Sequence, residues 1–226
     1  MDKEILQPIV YYGGTFDPIH IGHLNICKSI AYYFNFQTIN ILPNHIPPHR
    51  QQPVANVHQR IAMIELAIKN EPLFTLDTRE LLRDTYSYTI DTLIEMRHEF
   101  GSKRPILFII GEDSLYSLNK WHQWENLLNY CHLIVCKRNH EIQPIPDSNL
   151  NLWIESHLEP NKEHLLELAN GKIFLAPTPY FDVSATLIRN LLKSGKSCDR
   201  LLPSPVYDYI KSNGIYKHRV VHQANK

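Results

Sequence analysis

The run "PILFIIG", Pro105 to Gly111, constrains the fold more than any other stretch of this 226-residue chain. It is continuously apolar and ends on glycine. A strand without polar alternation has no face to turn to water, so it must be covered on both sides, as at the centre of a parallel sheet. "PIVYYGG", "TINILP", "LFTLDT", "HLIVCK" and "KIFLA" read as further strands. Helical periodicity falls between them. From about Gly22, Leu24, Ile26, Cys27, Ile30 and Ala31 recur on one helical face. Asn56 is a candidate cap for a helix whose apolar face carries Ile61, Ile64, Leu66 and Ile68. "TIDTLIEMRHEFG" is closed by Gly101, and "NLWIESHLEPNKEHLLELAN" holds short helices. "SATLIRNLLKSG" and "SPVYDYIKSNG" are helices with Gly195 and Gly214 near their ends. "NHIPPHRQQPV", "RDTYSYT" and "NHEIQPIPDSNL" are turns and loops. Strands alternating with helices predict an α/β fold: a parallel sheet flanked by helices, joined by right-handed crossovers. Residues 1–226 are expected to form a single domain, with 184–217 as a small helical C-terminal subdomain.

The formal net charge is zero and the isoelectric point near 7.2, so nothing suggests a nucleic acid or anionic membrane partner bound through bulk charge. Cys27, Cys131, Cys136 and Cys198 have neither Cys-x-x-Cys spacing nor the pattern of a disulfide framework, and are expected as buried thiols. The start of the chain does not read as a secretory signal. No segment approaches the roughly 20 apolar residues that span a bilayer. The expectation is a cytoplasmic protein.

The segment with the most chemistry is "GGTFDPIHIGHLNICKSI", Gly13 to Ile30. In an open α/β sheet, ligands sit beyond the carboxyl ends of the strands. Gly13 and Gly14 end the first strand, where close backbone approach and unusual dihedrals are expected. The helix that follows directs unpaired amides and a positive dipole end at the loop. His20 and His23 are three apart, so a helical turn puts both imidazoles on one side, and Gly22 between them removes a side chain that would block a phosphate. The assembly suits a polyphosphate. Thirteen histidines make chance pairs expected, however, and an exposed pair or half a zinc site fits the same letters. No further Cys or His spacing supports zinc, and no Ser-His-Asp or Cys-His grouping suggests a nucleophile.

His-x-Gly-His at a first strand-helix turn resembles two groups of ATP-using enzymes, the class I aminoacyl-tRNA synthetases and the small nucleotidyltransferases. A synthetase would need a tRNA-binding region and a loop resembling Lys-Met-Ser-Lys-Ser, which "LLKSGKS" only faintly approaches. "FDVSATLIRNLL" instead resembles the Ser-x-Thr-x-x-Arg signature of the nucleotidyltransferases, with Ser184 as a helix N-cap. "GGTFDPIHIGH", "PNHIPPHR", "FTLDTREL", "SYT", "FIIGEDSL", "HLIVCKR" and "VSATLIR" occur in the order seen in bacterial nicotinate-nucleotide adenylyltransferases of the proteobacterial type. The resemblance runs from about Ile9 to Tyr216.

That resemblance implies a Rossmann-like nucleotidyltransferase fold and a reaction. ATP and nicotinate mononucleotide give nicotinate adenine dinucleotide and pyrophosphate by direct in-line attack, without a covalent enzyme intermediate. It implies His20 and His23 as the catalytic pair on the ATP phosphates. Gly13, Gly14, Thr15, Phe16 and Gly22 belong to the loop over the nucleotide, and His49 to a loop reaching the phosphates. Gly111 and Asp113 lie near the sugars, and Ser184, Thr186 and Arg189 on the ATP-side helix. On the acceptor side it implies Asn44, Ser87, Tyr88, Thr89, Asp113, Trp121 as a stacking platform, and Arg138. Mg²⁺ is expected to ride on ATP oxygens, with no dedicated protein ligands. The partners are the two small molecules, with no nucleic acid and no membrane. The alternatives are another adenylyltransferase of the same fold, acting on phosphopantetheine, and a non-catalytic nucleotide-binding regulator.

Overall fold

A computed structural model describes residues 6–45, 52–83, 86–136 and 147–217. Its strands are β1 (Ile9–Gly14), β2 (Ile39–Pro43), β3 (Phe74–Leu76), β4 (Ile106–Gly111), β5 (His132–Cys136) and β6 (Ile173–Ala176). All pair in parallel in one sheet of order β3-β2-β1-β4-β5-β6. The helices are α1 (Ile21–Phe34), α2 (Val57–Ile68), α3 (Thr89–Phe100), α4 (Glu112–Leu115), α5 (Ser148–His157), α6 (Lys162–Glu167), α7 (Ala185–Lys193) and α8 (Ser204–Ser212).

Alternate strand residues enter two separate apolar layers, as the pleat requires. Val10, Tyr12, Leu107, Ile109 and Ile134 face a cluster completed by α1, α2, α6, α7 and α8. Tyr11, Phe108, Ile110, Leu133 and Val135 face the other, completed by α3, α5 and the segment 115–131. The apolar run of β4 is buried along Ile106–Ile110, as a central strand must be. Ile188, Val206, Ile210 and Tyr216 share the first cluster with the sheet. The four cysteines are buried free thiols. In the second layer, Trp124 packs edge-on against Trp153 with ring centroids 5.0 Å apart. Among the described residues no helix is long and apolar enough to cross a membrane.

Local signals explain most boundaries. Asn56 accepts from the Gln59 amide while Gln59 reaches back to the Asn56 amide, a reciprocal cap. Ser184 caps α7 by accepting from the Leu187 amide. Gly101, Gly195 and Gly214 follow their helices with φ of 81°, 70° and 61°.

Two expectations need correction. The buried face of α2 is Arg60, Met63, Ile64 and Ala67, while Ile61, Leu66 and Ile68 are only partly covered. A charged residue takes a core position because it has carbonyl partners there, described below. The loop "NHEIQPIPDSNL" was expected to continue to Leu150, but α5 begins at Ser148, because Asp147 accepts from the Asn149 and Leu150 amides. The short α4 and the 3₁₀ turns at 79–82, 118–120, 124–129 and 199–201 had no periodic signal long enough to read.

At the amino ends of the strands, Arg97 donates to the carbonyls of Gly101, Arg104, Tyr130 and Ala169, closing the chain reversals before β4 and β5. His132 is buried beside it, bonded to the Leu168 carbonyl through Nε2 and accepting from the Lys172 amide through Nδ1. Burial, with Arg97 and Lys172 adding repulsion, pushes its pKa down to about 4. The unfolded chain therefore binds the proton first. Stability is complete above pH 6.5 and falls as the pH drops towards 4, by roughly 3 kcal/mol. Urea midpoints measured from pH 7.5 to 4.5 should decline, and His132→Asn should flatten that decline.

Candidate active site

The order of the sheet reverses at β1, which lies between β2 and β4. Pairing of β1 with β4 runs from Ile9↔Ile106 to Tyr12↔Ile109 and no further, while β1 stays paired with β2 as far as Gly14↔Pro43. Beyond Tyr12 the two central strands part. A cavity of about 580 Å³ opens at that point, floored by Gly13, Gly14 and Gly111. A neighbouring cavity of about 450 Å³ shares His20, His23, Asp113 and Ser184 with it.

The strand-end glycines serve packing rather than dihedral freedom. Neither has positive φ; the left-handed residue of the loop is Phe16, at 49°. A Cβ on Gly13 would stand 2.6 Å from the Phe108 ring, and one on Gly14 2.9 Å from the Phe16 ring. Gly22 faces Val183 at 2.6 Å and the His20 imidazole at 3.1 Å. It therefore lets α1 approach the segment before α7. Thr15 lines the larger cavity and receives the Asn44 side-chain amide at 3.3 Å. Phe16 is buried, with its ring edge-on to Tyr12 at 5.7 Å and to His23 at 5.1 Å. It supports the histidine from behind.

His20 is the N-cap of α1 and His23 sits in its first turn. Their rings stack at 3.6 Å and 19°. The His20 backbone amide donates to Nδ1 of His23 at 3.2 Å. An accepting Nδ1 carries no proton, so the neutral His23 ring carries its proton on Nε2, a hydrogen-bond donor.

The remaining candidates lie on the two sides. Ser184, Thr186 and Arg189 bring α7 to the larger cavity. Arg189 donates to the Asp17 carbonyl at 2.7 Å and reaches the Thr186 hydroxyl at 3.3 Å. Across the cavity stand Asn44, Ser87, Tyr88, Thr89, Asp113 and Trp121. Tyr88 is the N-cap of α3, and its side chain makes no cap bond. The Ser87 hydroxyl is committed elsewhere: it accepts from the His45 amide at 2.8 Å and bonds the Glu80 carboxyl. His49 and Arg138 lie outside the described residues. Among the described residues no group of three or more His, Cys, Asp or Glu side chains could hold a metal ion.

Sequence reasoning missed three residues that hold this site. Buried Arg60 donates to the carbonyls of Thr15, Asn44 and His45, at 2.8, 2.8 and 3.2 Å, joining the loops after β1 and β2. A full phase count along α2 would have put it on the buried face. Buried Glu80 accepts from Thr92 Oγ1 at 2.7 Å and bonds Ser87, and burial pushes its carboxyl upward. Asp17 accepts from the amides of Val54 and Ala55 at 2.9 and 3.0 Å.

Comparison with known proteins places the chain among relatives. The sequence profile of the family described as "Cytidylyltransferase-like" matches residues 11–191. A "Probable nicotinate-nucleotide adenylyltransferase" of Yersinia enterocolitica is 50% identical over 206 residues, covering 91% of this chain and 94% of the relative. One of the same description from Shigella boydii serotype 18 is 48% identical over 206 residues, covering 91% and 97%. Plasmodium falciparum nicotinic acid mononucleotide adenylyltransferase, solved with NaAD, superposes with a TM-score of 0.70, covering 93% of this chain and 97% of that one. At 19% identity, that likeness shows the fold.

The contact between β1 and β4 gives a test of the glycine. Gly13→Ala should destabilise the protein by about 1–3 kcal/mol through overpacking against Phe108. Adding Phe108→Leu should recover part of the loss. Urea unfolding of the two variants decides it.

Proposed function

We infer the reaction from the premise that the chain belongs to the nicotinate-nucleotide adenylyltransferases, within the cytidylyltransferase-like family. It transfers the adenylyl group of ATP to nicotinate mononucleotide, giving nicotinate adenine dinucleotide and pyrophosphate. One observation carries the assignment of roles: a single cavity at the parting of β1 and β4 is bordered by the stacked histidines, the α7 signature and the Ser87–Trp121 wall. Donors and a cation border one side, and an aromatic ring with helix-start amides the other.

The acceptor's phosphate is already ionised near neutral pH and needs no general base. One of its oxygens attacks the α-phosphorus of ATP, and the bond to the bridging oxygen of pyrophosphate breaks. Catalysis then rests on positioning and on charge stabilisation. His23 presents Nε2–H to the reacting phosphate, held by the bond from the His20 amide to Nδ1 and by the Phe16 ring. His20 backs it by stacking. The N-terminus of α1 adds its amides and dipole. Ser184 caps α7 and leaves Thr186 and Arg189 for the β- and γ-phosphates. Mg²⁺, where it rides on ATP oxygens and water, would supply charge neutralisation for the leaving pyrophosphate, and needs few protein ligands. Asp113, exposed on the wall common to both cavities, would serve a ribose hydroxyl.

On the acceptor side, Trp121 offers a ring face, and the first amides of α3 beside Thr89 offer donors to a carboxylate. Ser87 acts here as a brace between the Asn44–His45 segment and Glu80. The substrates are small molecules, and the enzyme works in the cytoplasm.

Pyrophosphate release from ATP, Mg²⁺ and nicotinate mononucleotide tests the reaction; no release rejects it. His23→Ala should lower kcat by about 10²–10³, with little change in mononucleotide KM, in steady-state kinetics on folded protein. Nicotinamide mononucleotide should be a poor acceptor. Its amide NH₂ meets donors where the carboxylate offers acceptors, at roughly 1–3 kcal/mol for each unpaired group. A kcat/KM ratio on the order of a hundredfold is expected. Equal efficiencies would reject a carboxylate-reading pocket.

A further inference from the structure

Asp17 joins four parts of the chain in the wall of the larger cavity. Its Oδ2 accepts from the Val54 amide, and its Oδ1 from the Ala55 amide. Its main-chain carbonyl accepts from Nη1 of Arg189 at 2.7 Å. The fourth part comes from the far end of the chain. The Tyr216 hydroxyl donates to Oδ1 at 2.6 Å, across 199 residues of sequence, in a buried contact. Tyr216 is 3% exposed, and its backbone is left-handed, with φ of 65°. A non-glycine residue holds that conformation at a cost, and persists in it where the surroundings over-determine it. Phe16, next to Asp17, is left-handed too. One end of the contact, and the residue beside the other, are therefore held against local preference.

We infer that Tyr216 is a positioning residue for the ATP side of the site, acting through Asp17 on Arg189. This rests on the reading of Arg189 as a phosphate ligand given above. Nη1 of Arg189 lies 3.9 Å from Oδ2 of Asp17, outside hydrogen-bond range, while it bonds the carbonyl of the same residue. The Asp17 carboxylate already receives three donors: two amides and the phenol. Those donors fill three of its roughly four acceptor sites, fix its orientation and draw off part of its charge, and Arg189 stays on the carbonyl, with its other amino group beside Thr186 at the cavity. Without the phenol, Oδ1 loses a short bond. The carboxylate then competes for the guanidinium and draws it out of line with the phosphates. Burial and the Asp17 charge push the Tyr216 hydroxyl well above its ordinary range, so it stays a donor throughout the working pH range. A side chain that only filled space would need no hydroxyl.

Tyr216→Phe removes that hydroxyl and keeps the ring. Calorimetry of ATP binding without acceptor, and steady-state kinetics with both substrates, should be run on wild type, Tyr216→Phe, Arg189→Lys and the double variant. Tyr216→Phe should weaken ATP by about tenfold, in the range expected for a hydrogen bond to a charged group. The mononucleotide KM should stay within about twofold. The double variant should lose less than the product of the single losses, because both act through one contact. Wild-type ATP affinity in folded Tyr216→Phe would overturn the inference, whatever its Tm. Fully multiplicative losses, or a Tyr216→Phe chain that does not fold, would also overturn it. If wild type binds ATP yet releases no pyrophosphate with the mononucleotide, the proposed reaction fails, while the ATP comparison still decides the role of Tyr216.

Discussion

Two parallel strands that stop pairing before they end leave backbone groups pointing into open space, and the site is organised around that gap. Here the gap lies between β1 and β4, where strand order reverses and neither neighbouring crossover covers the carboxyl ends. The approach of Gly13 to the Phe108 ring sets how closely the strands run before they part. Every later element meets the cavity by reference to this seam. The start of α1 follows β1, α4 follows β4, and the turn before α3 arrives from the far side of β2.

The loops around the gap cannot satisfy their own carbonyls, and buried cations do so for them. Arg60 gathers Thr15, Asn44 and His45 from two loops. Arg97 does the same at the opposite end of the sheet, for the chain reversals there. In each case burial disfavours the charge, and bonds to several carbonyls offset that cost. A guanidinium spans several acceptors in one plane, which a lysine ammonium does not. These two residues are structural in chemistry, but one lies under the site and the other under the floor of the fold.

The sequence made the layers legible because burial writes itself as periodicity. The continuous apolar run of β4 and the spacing in α1 needed no further information. Caps and stops at Asn56, Ser184 and Gly101 were equally local. The two histidines and the α7 signature were readable as motifs, and the structure brings them to one cavity. Beyond short turns with too few residues to show a period, what escaped was mostly side-chain contacts that periodicity does not record. Arg60 went unread because its acceptors are 15 to 45 residues away. Glu80 and Ser87 form a link that spacing does not announce, and the Tyr216–Asp17 bond joins the two ends of the described chain. The expectation of unusual dihedrals at Gly13 and Gly14 erred for a related reason. A glycine signals missing volume, but only the three-dimensional neighbour says what fills it.

The three tryptophans of the chain are unequally placed. Trp124 and Trp153 lie against each other under the second layer, whereas Trp121 borders the larger cavity. An indole on that wall changes its surroundings whenever the space beside it is filled, while the paired rings keep theirs. The protein thus carries its own optical indicator: intrinsic emission can follow occupancy of that half of the cavity in real time, without a label and without waiting for product.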